Sequence, residues 1–261
     1  MTDIRLPADI LFSLGPIGVT NGHLAAFLMT FIFLVIGLIS SKRFRLVPKR
    51  LQSGIEMLME FMLAQVESAF GDKKTAHTFF PLLMTSLIFI LIANQFSLIP
   101  LIGHIVVGDT HVFRSPTSDL AMTIALSLFI VGLSNILALS IAPLHHIGSF
   151  IKIVPILKAR SIGALAQAIL EFFLGLLDII SEFAKVVSLG GRLFGNIFAG
   201  EVMVSVIAGL SAYTHFVAPI PFLFLSIFSG LVQAFVFVLL ATQFIAGSIG
   251  SAKEAKAGVA A

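Results

Sequence analysis

The sequence predicts an all-α polytopic membrane protein. About five membrane-embedded helices are expected, plus one interfacial amphipathic helix, with the last two membrane helices long, strongly tilted and forming a hairpin. Three observations carry this. Of 261 residues, 58% are hydrophobic and only 11% are charged, against about 25% charged in soluble domains. Apolar runs long enough to cross a hydrocarbon core of about 30 Å recur along the chain. Lys and Arg gather between those runs, and between Lys185 and Lys253 the only such residue is Arg192. Residues 1–261 read as a single membrane domain. With no Cys there is no disulfide framework and no thiolate metal site. The net charge of +3 comes from Lys and Arg beside the apolar runs, and no basic run is long enough to recruit nucleic acid. Twenty-six Phe with no Trp and one Tyr leave aromatic belts weakly marked, so span edges are read from charge.

Residues 1–20 mix Asp3, Arg5 and Asp9 with Pro7, Gly15 and Pro16. They read as a lead-in on the outer side rather than a cleaved signal. The first span covers 21–41, capped by Asn21 and stopped by Ser40-Ser41-Lys42-Arg43. Lys42, Arg43, Arg45, Lys49 and Arg50 form the densest basic cluster, which the positive-inside rule places in the cytoplasm. In 49–70 the polar residues Gln52, Glu56, Glu60 and Glu67 fall on one helical stripe. Three carboxylates argue against a span, so this helix lies along the interface or packs on the protein. The second span is 79–102, with Pro81 in its first turn and Asn94-Gln95-Phe96-Ser97 as a polar patch at membrane depth. Asn94 there reads as an interhelical hydrogen bond or as part of an ion route. Gly103 to Pro116 reads as a loop. Thr117 or Ser118 caps the third span, 118–142, and Asp119 in its first turn suits the helix dipole. His145 to Arg160 reads as a basic loop on the same side as the first cluster, and its adjacent pair His145-His146 is a poor chelate.

From Ile162 to Gly209 no Pro occurs. One helix over 162–209 is roughly 70 Å long at about 1.5 Å per residue, more than twice the hydrocarbon thickness, so it must tilt, break or leave the membrane. Segment 219–249 is also over-long for an upright span. Lys253 and Lys256 put the C-terminus in the cytoplasm and the N-terminus outside.

Arg192 is a permanent cation in this apolar stretch, and an intramembrane charge is a functional hypothesis by default. Ser181, Ala184, Ser188, Gly191, Gly195 and Ala199 step by three or four and make one face of small residues. That face serves either packing against the chain's own last helix or a partner that slides past. Arg192 stands at its rim. Asp178, Lys185 and Arg192, seven apart, share a face. Glu201 is nine residues further on, about 180° round and about 13 Å along the helix. Carboxylates on opposite faces and on either side of a fixed cation suit two separate aqueous routes with a barrier between them. The plain alternatives are a Glu201 satisfied by His215 or Gln233, and Asp178 and Glu182 as a solvated helix end near Lys185. Gln233 is placed either to hydrogen-bond Arg192 or to glue helices together.

Ser188-Leu189-Gly190-Gly191-Arg192-Leu193-Phe194-Gly195-Asn196 with Ala199-Gly200-Glu201 resembles the signature of subunit a of F-type ATP synthases. The resemblance continues in Asn94 to Pro100, Pro116-Thr117-Ser118-Asp119, Ile179 to Ala184 and Gln233 to Phe237, and covers roughly 20–250. It implies a membrane stator beside a rotating ring of c subunits, with no catalytic site of its own and no cofactor or metal. By the motif, Arg192 faces a ring carboxylate and blocks leakage between two offset proton half-channels. Glu201 matches the acidic residue of the outer route, and Asp178 stands on the inner one. Asn196 and Gln233 match polar residues beside the arginine, while His215, Glu182 and Asn94 are candidate half-channel partners. The small-residue face would meet the ring, and b-type peripheral-stalk subunits and the lipid bilayer complete the expected partners. Ser226 departs from a histidine that some bacterial members carry there. Glu201, in place of a histidine common in mitochondrial members, favours a bacterial inner membrane or a plastid-like source. Rival readings are a self-contained transporter and a purely structural anchor.

Overall fold

The computed structural model describes residues 10–14, 17–41, 50–96, 106–107, 110–111, 115–150, 162–209 and 217–260. Seven α-helices appear among them: α1 (Asn21–Ser41), α2 (Arg50–Phe70), α3 (Lys73–Phe96), α4 (Leu120–Ile141), α5 (Pro143–Phe150), α6 (Ile162–Gly209) and α7 (Pro219–Ala260). All but α2 and α5 are long and apolar enough to cross a membrane. Phe27, Phe31, Phe129, Ile136, Phe173 and Phe224 stand exposed on them, as lipid-facing side chains do. The chain is an all-α polytopic membrane protein.

Two short antiparallel ladders lie outside the long helices. In β1 (Ile10–Leu14) and β2 (Ile17–Thr20), Ile10 pairs with Thr20 and Leu14 with Ile17. The stretch expected as a mere lead-in is therefore partly a β-ladder that runs directly into α1. In the segment expected as a loop after the second span, β3 (Val106–Val107) pairs with β4 (Thr110–His111).

The chain divides into two compact units, Met1–Ala125 with Gly190–Leu239, and Leu126–Leu189 with Leu240–Ala261. In the first, α2 and α3 form a hairpin, and Met62 and Val66 of α2 and Leu83, Leu87 and Ile90 of α3 are buried. Its turn has a clear chemical origin. Gly71 adopts φ +65°, and its N–H donates to Glu67 O at 3.0 Å, ending α2. Asp72 then caps α3, its carboxylate accepting from Lys74 N at 3.1 Å and Thr75 Oγ1 at 2.6 Å. Because α3 begins at Lys73, Pro81 falls inside the helix rather than in its first turn. The cap of α4 also differs from expectation. Pro116–Ser118 form a 3₁₀ turn, and Asp119, not Thr117 or Ser118, accepts from Ala121 N at 3.0 Å. A Pro-initiated turn uses up both hydroxyl residues before the helix begins. Ser115 Oγ donates to Ala93 O at 2.8 Å, tying this turn to α3.

In the second unit, Ala138, Ala142 and Ala252 pack closely between α4 and α7. The expected loop around His145-His146 contains α5 instead. Pro143 starts it, pre-set for the first helical position, and His146 N donates to Ala142 O at 2.9 Å. The basic residues Lys152, Lys158 and Arg160 lie outside the described residues.

Candidate functional site

The polar side chains fall into two clusters, one in each unit. In the first unit, the C-terminal part of α6 packs antiparallel to the N-terminal part of α7. Asn196 fastens the pair: its Nδ2 donates to Ser229 O at 3.1 Å, and Ser229 Oγ donates to its Oδ1 at 2.6 Å. A turn further on, a Cβ placed on Gly200 would lie 3.0 Å from Ser226 Oγ. Small residues on both sides permit that approach, and Ser226 stands in it as a contact of the helix that carries Glu201. α3 meets α7 over Gly230, where Asn94 Nδ2 donates to Gly230 O at 2.8 Å and Gln95 Nε2 donates to Ile227 O at 3.1 Å. A Cβ on Gly230 would stand 3.3 Å from Asn94 Cβ. Asn94 thus makes the interhelical bond that a buried amide in a span calls for.

Arg192 is exposed, and no described residue forms an ion pair with it. No hydrogen bond joins it to Gln233 among the described residues. Gln233 is 7% exposed, and its buried Nε2 has no hydrogen-bond partner among them. On the small-residue face, Ser181, Ala184, Ser188 and Ala199 are exposed, and a Cβ on Gly191 or Gly195 would meet nothing within 4 Å. That face is not filled by the chain's own last helix at those two glycines. Glu201 is half-buried, and His215 lies outside the described residues.

In the second unit a cleft of about 330 Å³ lies among α4, α5, α6 and α7, and Asp178, Glu182 and Lys185 line it. Glu182 is not a solvated helix end. Its Oε1 accepts from Lys185 Nζ at 2.5 Å and its Oε2 from Asn135 Nδ2 at 2.9 Å. Asn135 Oδ1 in turn faces His146 Nε2 at 3.1 Å. Lys185 Nζ sits 5.4 Å from the Phe244 ring centroid, a cation–π contact. Asp178 is exposed to the cleft, with no ion pair among the described residues.

Asn135 and His146 were not among the candidates drawn from the sequence. Asn135 has a sequence signal, as a polar residue inside the apolar run 120–142. His146 had no such signal, because its partner lies eleven residues away on another helix. Ser229 becomes visible only once the register of α6 on α7 is known. No group of three or more potential metal ligands occurs among the described residues.

Comparison with known proteins identifies the family. Residues 23–246 match the family model for the ATP synthase A chain. ATP synthase subunit a of Oceanobacillus iheyensis is 30% identical over 245 residues, covering 88% of this chain and 92% of the relative. The Priestia megaterium protein of the same name is 33% identical over 229 residues, covering 84% and 87%. ATP synthase subunit a 2 of a Bradyrhizobium strain is 27% identical over 253 residues, covering 96% and 98%. A match that takes in both polar clusters and nearly the whole chain shows that this protein belongs to the ATP synthase A chain family.

Proposed function

We propose that this chain is the membrane stator of a rotary ATP synthase and carries protons to and from a ring of c subunits through two offset half-channels. The observation that carries the reading is Arg192, an exposed cation without an ion-pair partner among the described residues, beside glycines that face open space. A guanidinium cannot lose its proton. In an apolar setting it needs an anion, and a carboxylate presented by another subunit supplies one. The smooth face of Ser181, Ala184, Ser188, Gly191, Gly195 and Ala199 allows that subunit's backbone to come close and to move past.

In this reading a carboxylate arriving at Arg192 gives up its proton to pair with the guanidinium. It regains a proton only after leaving, so a proton cannot pass directly from one route to the other. Asp178, with Glu182 beside it, serves the inner route. Glu201 serves the outer one, Asn196 and Asn94 hold the helices around the arginine in register, and Gln233 offers an unsatisfied amide to the proton path. Each proton descending the potential releases about 2.3 kcal/mol per 100 mV, and the barrier forces that descent through rotation. The chain itself has no nucleotide chemistry to perform. The distribution of Lys and Arg supports a cytoplasmic C-terminus and an outer N-terminus, and the source organisms of the relatives support a bacterial plasma membrane. b-type subunits of a peripheral stalk would hold the chain still against the ring.

Arg192→Lys in the assembled complex tests the reading. The ammonium keeps the charge but not the planar fork. Proton-driven ATP synthesis should fall by about a hundredfold, the scale of removing one pre-organised charge-stabilising group. Synthesis at the parental rate would refute the assigned role.

A further inference from the structure

The cleft of the second unit contains a histidine that no role above uses. We propose that His146 is the proton-collecting group of this cleft and that Asn135 is its positioning residue. The proposal rests on the reading of the cleft as the inner access route.

The argument begins with the amide. Asn135 Nδ2 has two hydrogens and faces two acceptors, Val131 O at 2.9 Å and Glu182 Oε2 at 2.9 Å. Turning the amide over would set its oxygen against both acceptors and break both bonds. Its oxygen therefore faces His146, and that oxygen can only accept. His146 Nε2, 3.1 Å away, must then carry a hydrogen. With Nε2 committed as a donor, Nδ1 is the ring atom that takes up and releases a proton. A proton from solution adds to Nδ1 to give the imidazolium, then returns to water in the cleft and passes to the Asp178 carboxylate. The histidine is left as it began.

Two further contacts fix where this happens. A Cβ on Gly175 would lie only 2.5 Å from Phe150 O, so the end of α5 rests directly on the backbone of α6. The His146 ring meets the Phe150 ring edge-on, with centroids 5.0 Å apart. α5 thus holds its histidine beside the cleft by backbone contact, ring contact and the Asn135 bond together. The charged groups lining the cleft with it are Asp178, Glu182 and Lys185 of α6. α4 offers Asn135, and α7 offers only neutral groups such as Gln243 and Ser248. Glu182 is held by Lys185 and Asn135, which leaves Asp178 as the carboxylate open to exchange.

The test uses the assembled complex in membrane vesicles, with ATP-driven proton pumping measured against the pH of the cleft-facing side, because pumping is the direction that draws protons in through the inner route. His146→Gln keeps an N–H for Asn135 Oδ1 but cannot bind a proton. Its rate should fall by about tenfold at the alkaline end, where free protons are scarce, and recover when imidazole is added as a mobile proton carrier. Asn135→Leu should shift the profile in the same direction, because the ring loses its fixed tautomer. Asp178→Asn is the reference. If it slows pumping while His146→Gln matches the parent at every pH, the role of His146 is overturned and the route stands. If His146→Gln is slow at every pH and imidazole restores nothing, the histidine is structural and the proposal fails. If neither variant changes the rate, the cleft is not the access route.

Discussion

Arg192 and Gln233 illustrate how single residues here are placed against their own comfort. A buried amide donor without a partner costs about 1–3 kcal/mol, and Gln233 Nε2 is one among the described residues. Gln233→Leu should therefore stabilise the isolated chain, by about 1 kcal/mol, while lowering proton-driven synthesis in the complex. Detergent unfolding and vesicle assays on the same variant read the two effects separately. Equal or lower stability with full activity would show that Gln233 is only helix glue. Asn196 is the contrasting residue, because both of its amide ends are satisfied by Ser229. Asn196→Ala should destabilise the α6–α7 contact by about 1 kcal/mol, seen as a lower unfolding midpoint. A parental midpoint would mean that the two bonds contribute nothing net.

Elements were legible in the sequence to the extent that their causes are local. Apolar runs with basic punctuation identify the long helices because burial in lipid demands about 20 apolar residues in one stretch. α5 is not legible in the sequence because eight residues are too few to establish a helical period. The Asp119 cap is not legible in the sequence because a 3₁₀ turn and a helix look alike over three residues. The His146–Asn135–Glu182 network links positions 11 and 47 apart, and no periodicity reports a contact of that kind. Gly175 shows the same limit: as a lone glycine in a helix it is unremarkable, yet it is where α5 lands. Gly175→Ala should push Phe150 away, loosen the His146–Asn135 bond and cost about 1–3 kcal/mol. Faster amide exchange over 143–150, with α1 to α3 unchanged, would report it. Unchanged exchange there would show that α5 is held by other contacts.

At the scale of the whole molecule, the division into two units gives the two proposed routes separate homes. The boundary on α6 falls between Leu189 and Gly190, two residues before Arg192. Asp178 and its cleft belong to one unit, and Glu201 belongs to the other. If each route opens to one side only, a proton that enters by one can leave by the other only on a carrier that moves between them. In the proposed reading that carrier is the ring carboxylate, which another subunit supplies. Reconstituted by itself in liposomes containing a pH-sensitive dye, the chain should pass no more protons under an imposed potential than empty liposomes do. Adding the ring and stalk subunits should produce flux, and that flux should turn the ring. A steady conductance from the chain alone would instead join the two routes within one polypeptide and favour a self-contained transporter. A structural anchor makes a third, distinct prediction: no conductance alone, and full coupled flux in the complex after Arg192→Ala. The three readings therefore separate on two measurements, flux without the ring and rotation-coupled flux with the ring but without the guanidinium. Only the stator reading requires both to be near zero.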